Sequence, residues 1–305
     1  MTTSGTTTFN LDLAELMEES AERCGYELRS GYDFKTARRS LSLLLAEWAS
    51  QGVNLWTLDQ GSFALTPGLS TYAIPADTVD LLDQVIRTSA NNATTQADLT
   101  LTRISMPTYS SIPNKLTQAR PIQCVVQRQD SQTYPTTITL AANATATEAT
   151  LTLSSTVGLP AAGHIMIGTE YIYYGYIDGA TLGGCFRGQN NSTAAVHALG
   201  DPILGCKLPS VILWPIPDAS QAYQFVFWRM RRIQDAGNGT NTIDVPFRFV
   251  PALVAGLAYY MAMKVPGGLE RIQLLKQQYE DSWTLAAGED RERAAVMFSP
   301  KIYNI

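Results

Sequence analysis

Two histidines, His164 and His197, are all the imidazole this chain has, and both fall in one stretch that is nearly free of charge. A histidine triad or a His-rich metal site would have to be assembled there. Neither residue lies near a cysteine or a carboxylate pair at ligand spacing, so each is expected on the surface or hydrogen-bonded in a turn. Cys24, Cys124, Cys185 and Cys206 form no C-x-x-C pair, which leaves them as small core residues of a reduced compartment. Gly183-Gly184-Cys185 lacks the following helix and the lysine of a phosphate-cradling loop. Asp80 with Asp83, and Glu18 with Glu22, read as solvated faces rather than paired catalytic acids. The most suggestive cluster is Arg229, Arg231 and Arg232. It is expected either to end a strand in solvent, pairing with Asp235 and Asp244, or to make a subunit contact or face passing nucleic acid. No catalytic residue, cofactor or metal is assigned, and no enzymatic activity is expected.

The elements that must position these residues follow from pattern. The chain of 305 residues, 45% hydrophobic, is long enough to bury a large core in one to three domains. A net charge of −5 argues against a broad phosphate-gripping surface. The N-terminus carries no secretory pattern, and the longest apolar run, 250–263, is shorter than the ~20 residues that cross a bilayer, so synthesis in the cytoplasm and no membrane partner are expected.

Residues 1–9 are rich in Thr, Ser and Gly and are expected to form a flexible arm. Leu13, Met17, Ala21 and Cys24 recur at helical spacing and stop at Gly25. A second helix, capped by Asp33, carries Ala37, Leu41, Leu44, Leu45 and Trp48 to Gly52. A β-meander is expected over 53–87, then a hairpin with its tip at 89–98, a proline-rich connecting loop at 104–120 and a strand at 121–128. The segment 207–235 reads as a two-stranded hairpin about Pro217-Asp218-Ala219-Ser220. Its second arm, with Tyr223, Phe225 and Phe227 on one parity and Val226, Trp228 and Met230 on the other, demands a central strand. Helices follow near 251–264 and from 269 onward, and the tail 294–305 is extended and apolar.

The stretch 131–206 interrupts this plan with short strands near 136–140, 150–153, 164–167 and 170–176. The expected fold class is therefore α+β: N- and C-terminal helix pairs forming one bundle (10–52 and 245–293), a central antiparallel β-sheet (53–130 and 207–244), and a small inserted all-β domain (131–206).

The opening pair LAELMEESAERCGYE and DFKTARRSLSLLLAEWASQGVNLWTL, then ISMPTYSSIPNK with ARPIQCVVQRQ, then VILWPIPDASQAYQFVFWRMRRIQD and VPALVAGLAYYMAMK, resemble in order and spacing the head-to-tail adaptors of short-tailed bacteriophages. That group includes tail tubular protein A and the portal-bound DNA-stabilisation accessory factors. The insert, GHIMIGTEYIYYGYIDGATLGGCFRGQNNSTAAVHALGDPI, resembles a small β-module found across phage structural proteins, and the simplest adaptors lack it. The resemblance implies a homo-oligomeric ring, dodecameric in the family, in the neck and tail of the virion. The ring docks beneath the portal protein and above the next (nozzle or tail tubular) protein. DNA passes through it without sequence-specific binding. By position, 294–305 is the segment expected along the portal, through Val296, Phe298, Ile302, Tyr303 and Ile305. The insert is expected to project and hold a tail fibre or spike, or the next tail protein. Two competing readings are a receptor- or carbohydrate-binding tail component, which its Tyr, Thr and Asn content also suits, and a polysaccharide hydrolase, for which no carboxylate pair is found.

Overall fold

The computed structural model describes residues 5, 11–51, 55–129, 132–235, 237, 241–265 and 267–290. The expectations for most of 1–9, for Gly52 and for the apolar tail 294–305 lie outside those residues. The fold is α+β, and the chain divides into two compact units, Met1–Leu58 with Arg232–Ile305, and Asp59–Arg231.

The first unit is helical: α1 (Leu13–Arg23), α2 (Gly31–Gln51), α4 (Val250–Ala262) and α5 (Ile272–Glu289). Local chemistry sets their ends. Asp12 and Glu15 form a reciprocal capping box at the start of α1. At its end Gly25, φ +77°, lets Gly25 N–H reach the Glu22 carbonyl and Tyr26 N–H the Ala21 carbonyl. The second helix starts earlier than expected. Ser30 is the capping residue, its hydroxyl accepting from Asp33 N–H, while the Asp33 carboxylate accepts from Ser30 N–H out of the first turn. The four apolar stripes meet in one core, with Leu13, Leu41, Trp48, Phe249, Leu253 and Tyr279 among its members. Trp48 Nε1 donates to Tyr279 Oη at 2.9 Å and its ring lies 4.7 Å from that of Trp283. Gly256 permits a close approach: a Cβ there would stand 2.9 Å from the Leu44 and Tyr279 side chains. The apolar run is the buried helix α4, and no helix among the described residues is long and apolar enough to cross a membrane.

The second unit opens with β1 (Leu58–Ala64), β2 (Thr71–Ala73), β3 (Thr78–Thr88), β4 (Ala97–Thr100), β5 (Thr102–Arg103), the short helix α3 (Met106–Ser110) and β6 (Gln123–Gln127). It closes with β15 (Ser210–Trp214) and β16 (Tyr223–Arg231). These make two four-stranded sheets, ordered β1-β16-β3-β4 and β2-β15-β6-β5. As the sequence demands, β16 is central, between β1 and β3.

Two sequence expectations are corrected. Residues 207–235 are not a hairpin, because β15 and β16 sit in different sheets: β15 already has β2 and β6 on its two edges, β16 has β1 and β3. The link between them contains Pro215 and Pro217, which lack the N–H a continued ladder needs, and the chain crosses over instead. For the same reason 53–87 is no meander, since β1 and β2 also part to different sheets. The proline-rich loop holds a short helix, α3, where the Ser105 hydroxyl accepts from Thr108 N–H and Pro107 occupies the first turn. The pairing of β5 with β6 is parallel; the hairpin of β3 and β4 is antiparallel. Both sheets feed one core, from Tyr72, Val211 and Leu213 on one side and Leu81, Ile86, Tyr223, Phe225 and Phe227 on the other.

Between β6 and β15, whose register runs Gln127 against Ser210 to Gln123 against Trp214, the inserted strands are β7 (Thr133–Thr139), β8 (Thr150–Thr152), β9 (Gly163–Ile167), β10 (Glu170–Tyr174), β11 (Tyr176–Asp178), β12 (Thr181–Gly183), β13 (Phe186–Gln189) and β14 (Pro202–Cys206). They form a five-stranded sheet, β13-β10-β9-β14-β7, and a three-stranded sheet, β11-β12-β8. Alternation sends Ile165, Ile167, Ile172, Tyr174 and Ile203 into a core of their own. The other parity brings Tyr173 into the core of the central sheets, with Phe186 packed against that core. The insert thus packs on the sheets that carry it rather than hanging from two links.

Candidate functional site

Of the residues singled out from the sequence, Val296, Phe298, Ile302, Tyr303 and Ile305 lie outside the described residues. Arg229 and Arg231 are placed, and both are engaged. Arg229 reaches Asp77, the Thr78 hydroxyl and, at 3.5 Å, Asp59; Arg231 Nε lies 3.4 Å from the same Asp59. Their side chains are largely covered. Arg229 and Arg231 thus have Asp59 and Asp77 of the β-unit among their partners. Arg232 falls in the helical unit. Asp80, read as half of a solvated pair, bridges Arg103 at 3.0 Å and Arg128.

The four thiols are free and buried. Burial pushes Cys124 and Cys206 up to about 12 and Cys185 up to about 11, and raises Cys24 likewise, so none is a ready nucleophile. No group of three or more His, Cys, Asp or Glu among the described residues could hold a metal ion.

The histidines overturn the surface expectation, since both are buried. His197 joins a cluster that spacing did not reveal. Glu170 opens β10 at 1% exposure and Arg187 lies on the neighbouring strand β13. Arg187 Nε and Nη2 donate to the two Glu170 oxygens, each at 2.8 Å, and Gly188 N–H and Ala195 N–H add bonds at 3.0 Å. His197 Nε2 is 2.7 Å from Glu170 Oε2. The remaining Arg187 donors meet the carbonyls of Ala195, at 2.7 Å, and Thr145. Gly188 supplies φ +62° at the point where its N–H must face the carboxylate, and a Cβ there would stand 3.0 Å from the Ser192 carbonyl.

Burial alone would raise the Glu170 carboxyl, but the Arg187 guanidinium, the two backbone donors and His197 outweigh it and hold the group down at about 2. A carboxylate so fixed has no proton to give and no free lone pair to take one, which makes it a poor general acid or base. Its chemistry is to tie β10, β13 and the 195–197 segment together. The missed signal was compositional: Arg187 is the only lysine or arginine between 131 and 206, beside Phe186 in an apolar run.

His164 is different. It lies on β9 with its ring 5.2 Å from that of Tyr173, opposite Cys206 on β14. Its Nε2 is buried with no hydrogen-bond partner, and desolvation lowers its pKa to about 4. It lines a groove of about 670 Å³ shared by the inserted sheet and the β2-β15-β6-β5 sheet. A second groove, about 370 Å³, runs between Phe63, Tyr72 and Phe227 and the loop Gly188 to Asn191, where Asn190 and Asn191 adopt φ +52° and +58°.

No protein-family model matches this chain, and no curated protein is found to be similar to it.

Proposed function

We propose that this chain is a structural virion protein, a head-to-tail adaptor of a short-tailed bacteriophage. In this reading it forms a homo-oligomeric, dodecameric ring in the neck, below the portal and above the next tail protein, and DNA leaves through it. The observation that carries the reading is the order and spacing of the segments shared with that family, from the opening helix pair to VPALVAGLAYYMAMK. Three features support it. Helices from both ends of the chain close around a single core, as a rigid ring segment needs. Leu269, Leu274 and Leu285 are each about 70% exposed and offer apolar area to neighbouring copies. The net charge of −5 suits a channel wall that must not retain DNA.

The arginines Arg229 and Arg231, neutralised by Asp59 and Asp77, are better suited to bracing β16 than to lining a channel. The insert is the part offered to a fibre, a spike or the next tail protein. The test is the copy number of the chain in purified virions by quantitative mass spectrometry, with portal as internal standard. A ratio near one to portal is expected. A ratio several-fold away from one, or absence from the particle, refutes the ring.

A further inference from the structure

The outer face of α2 is built to receive another helix. Opposite its buried stripe, α2 turns Tyr32, Lys35, Arg39, Leu43 and Ala46 outward at steps of three and four residues, the spacing of a helix-pairing seam. Tyr32 is 71% exposed and Leu43 54%, apolar surface that the bundle itself does not use. Lys35 and Arg39 between them make no ion pair among the described residues. The carboxylates of α2 are engaged elsewhere, Asp33 with the Ser30 hydroxyl and Glu47 with the Tyr260 hydroxyl.

The matching surface is on the same chain. A groove of about 490 Å³ runs between α1 and the start of α4, with Val250, Pro251 and Val254 on one wall and Glu15, Glu18, Glu19 and Glu22 on the other. Arg23 meets Glu19 at 2.8 Å and Glu15 closes the cap of α1, but Glu18 and Glu22 have no partner among the described residues. Like charges three and four residues apart weaken the helix that carries them. Both α1 and α2 have that arrangement, with opposite sign, and each relieves the other if they meet. Within one copy they do not meet. Two different patches that fit each other make a heterologous contact, which runs on around a ring instead of closing a two-fold dimer.

We propose that the outer face of α2 seats in the α1/α4 groove of a second copy of this chain, Lys35 and Arg39 against Glu18 and Glu22, Tyr32 and Leu43 toward the valine and proline wall. The inference names the contact between neighbours in the ring and rests on that reading.

Sedimentation velocity of the full-length chain, alone and with purified portal, tests it. The wild type is expected to self-associate, less so as salt rises. Association should fall at least tenfold in E18K/E22K and in K35E/R39E, each checked for fold by circular dichroism; Glu15 is left in place to keep its cap. Each variant repels its own kind, whereas in an equimolar mixture every contact between the two variants joins opposite charges, so mixing should restore assembly. A mixture that stays dissociated while the wild type assembles overturns the contact, and so does a folded variant that assembles as the wild type does. Should a charge-reversed variant misfold, E18Q/E22Q and K35Q/R39Q take over, and undiminished assembly in both overturns it likewise. If virions hold one copy per portal subunit and the charge swaps fail, the ring stands and this contact falls; a wild type that remains monomeric with and without portal removes both.

Discussion

Acid should loosen the β-unit through His164. The residue is 5% exposed and its folded-state pKa is lowered by burial to about 4, against an ordinary value of 6.5. The unfolded chain therefore takes up the proton first as pH falls. The stability that neutral His164 permits is complete above pH 6.5, drains between 6.5 and about 4, and changes no further below that. At about 1.4 kcal/mol per pH unit the loss across that window amounts to about 3 kcal/mol. Tyr173 from β10 lies 5.2 Å from the ring and Cys206 from β14 stands opposite it, and neither is a carboxylate that would rescue the imidazolium. Glu170 works in a separate range. Its carboxyl, held at about 2, gives stability that is present above 4.5 and lost only as pH drops toward 2. Urea unfolding of the wild type and of H164F, followed by near-UV circular dichroism between pH 7.5 and 4.5, isolates the histidine, with two transitions fitted where the two units unfold separately. The wild type should lose most of those 3 kcal/mol relative to the variant by pH 4.5. Two curves that stay parallel across the range would refute the reasoning.

Replacing Arg187 by Met strands Glu170 as a buried unpaired carboxylate, and the β-unit should lose about 3–5 kcal/mol in urea unfolding. The double replacement E170M/R187M should recover part of that loss, because it removes both charges. In the helical unit, Y279F leaves the Trp48 N–H without its acceptor and should cost about 1–3 kcal/mol in that unit's transition alone. Truncation after Arg293 should leave both units folded by circular dichroism and abolish co-sedimentation with portal; retained co-sedimentation would count against the tail's assigned role.

What the sequence made legible was local. Leucines at a period of 3.6, Gly25 after Cys24 and the apolar run of α4 each act within one element, so pattern alone placed the helices. The two-sided apolar character of β16 likewise foretold its central place. Which sheet each strand joins is a different question. Both β15 and β16 offer two apolar faces, and the choice between pairing with each other or with strands about 80 to 150 residues away is made by the free edges of β2, β3 and β6. No short-range signal carries that information. The Glu170, Arg187 and His197 cluster was hidden for the same reason, since 27 residues separate its outer members: the pairing of β10 with β13 brings Arg187 to Glu170, and His197 enters on a bridge to Ala144.

The placement of those three residues also explains how an almost chargeless insert keeps one shape. Its strands are short, and several, such as β8, β11 and β12, have only three residues. Strands so short specify register weakly, because few cross-strand pairs distinguish one alignment from the next. A buried carboxylate with five donors is unforgiving of a slip: moving β13 by one residue along β10 would take Arg187 and Gly188 N–H away from Glu170 together. The cluster therefore contributes registry more than net stability, a role for which buried polar groups are suited. On the opposite face of the same sheet, Tyr173 enters the central core and His164 sits beside it. One strand, β10, thus carries both the residue that fixes the insert's own alignment and the residue that fastens it to the sheets beneath, and a load on the insert would pass into the central sheets through that strand.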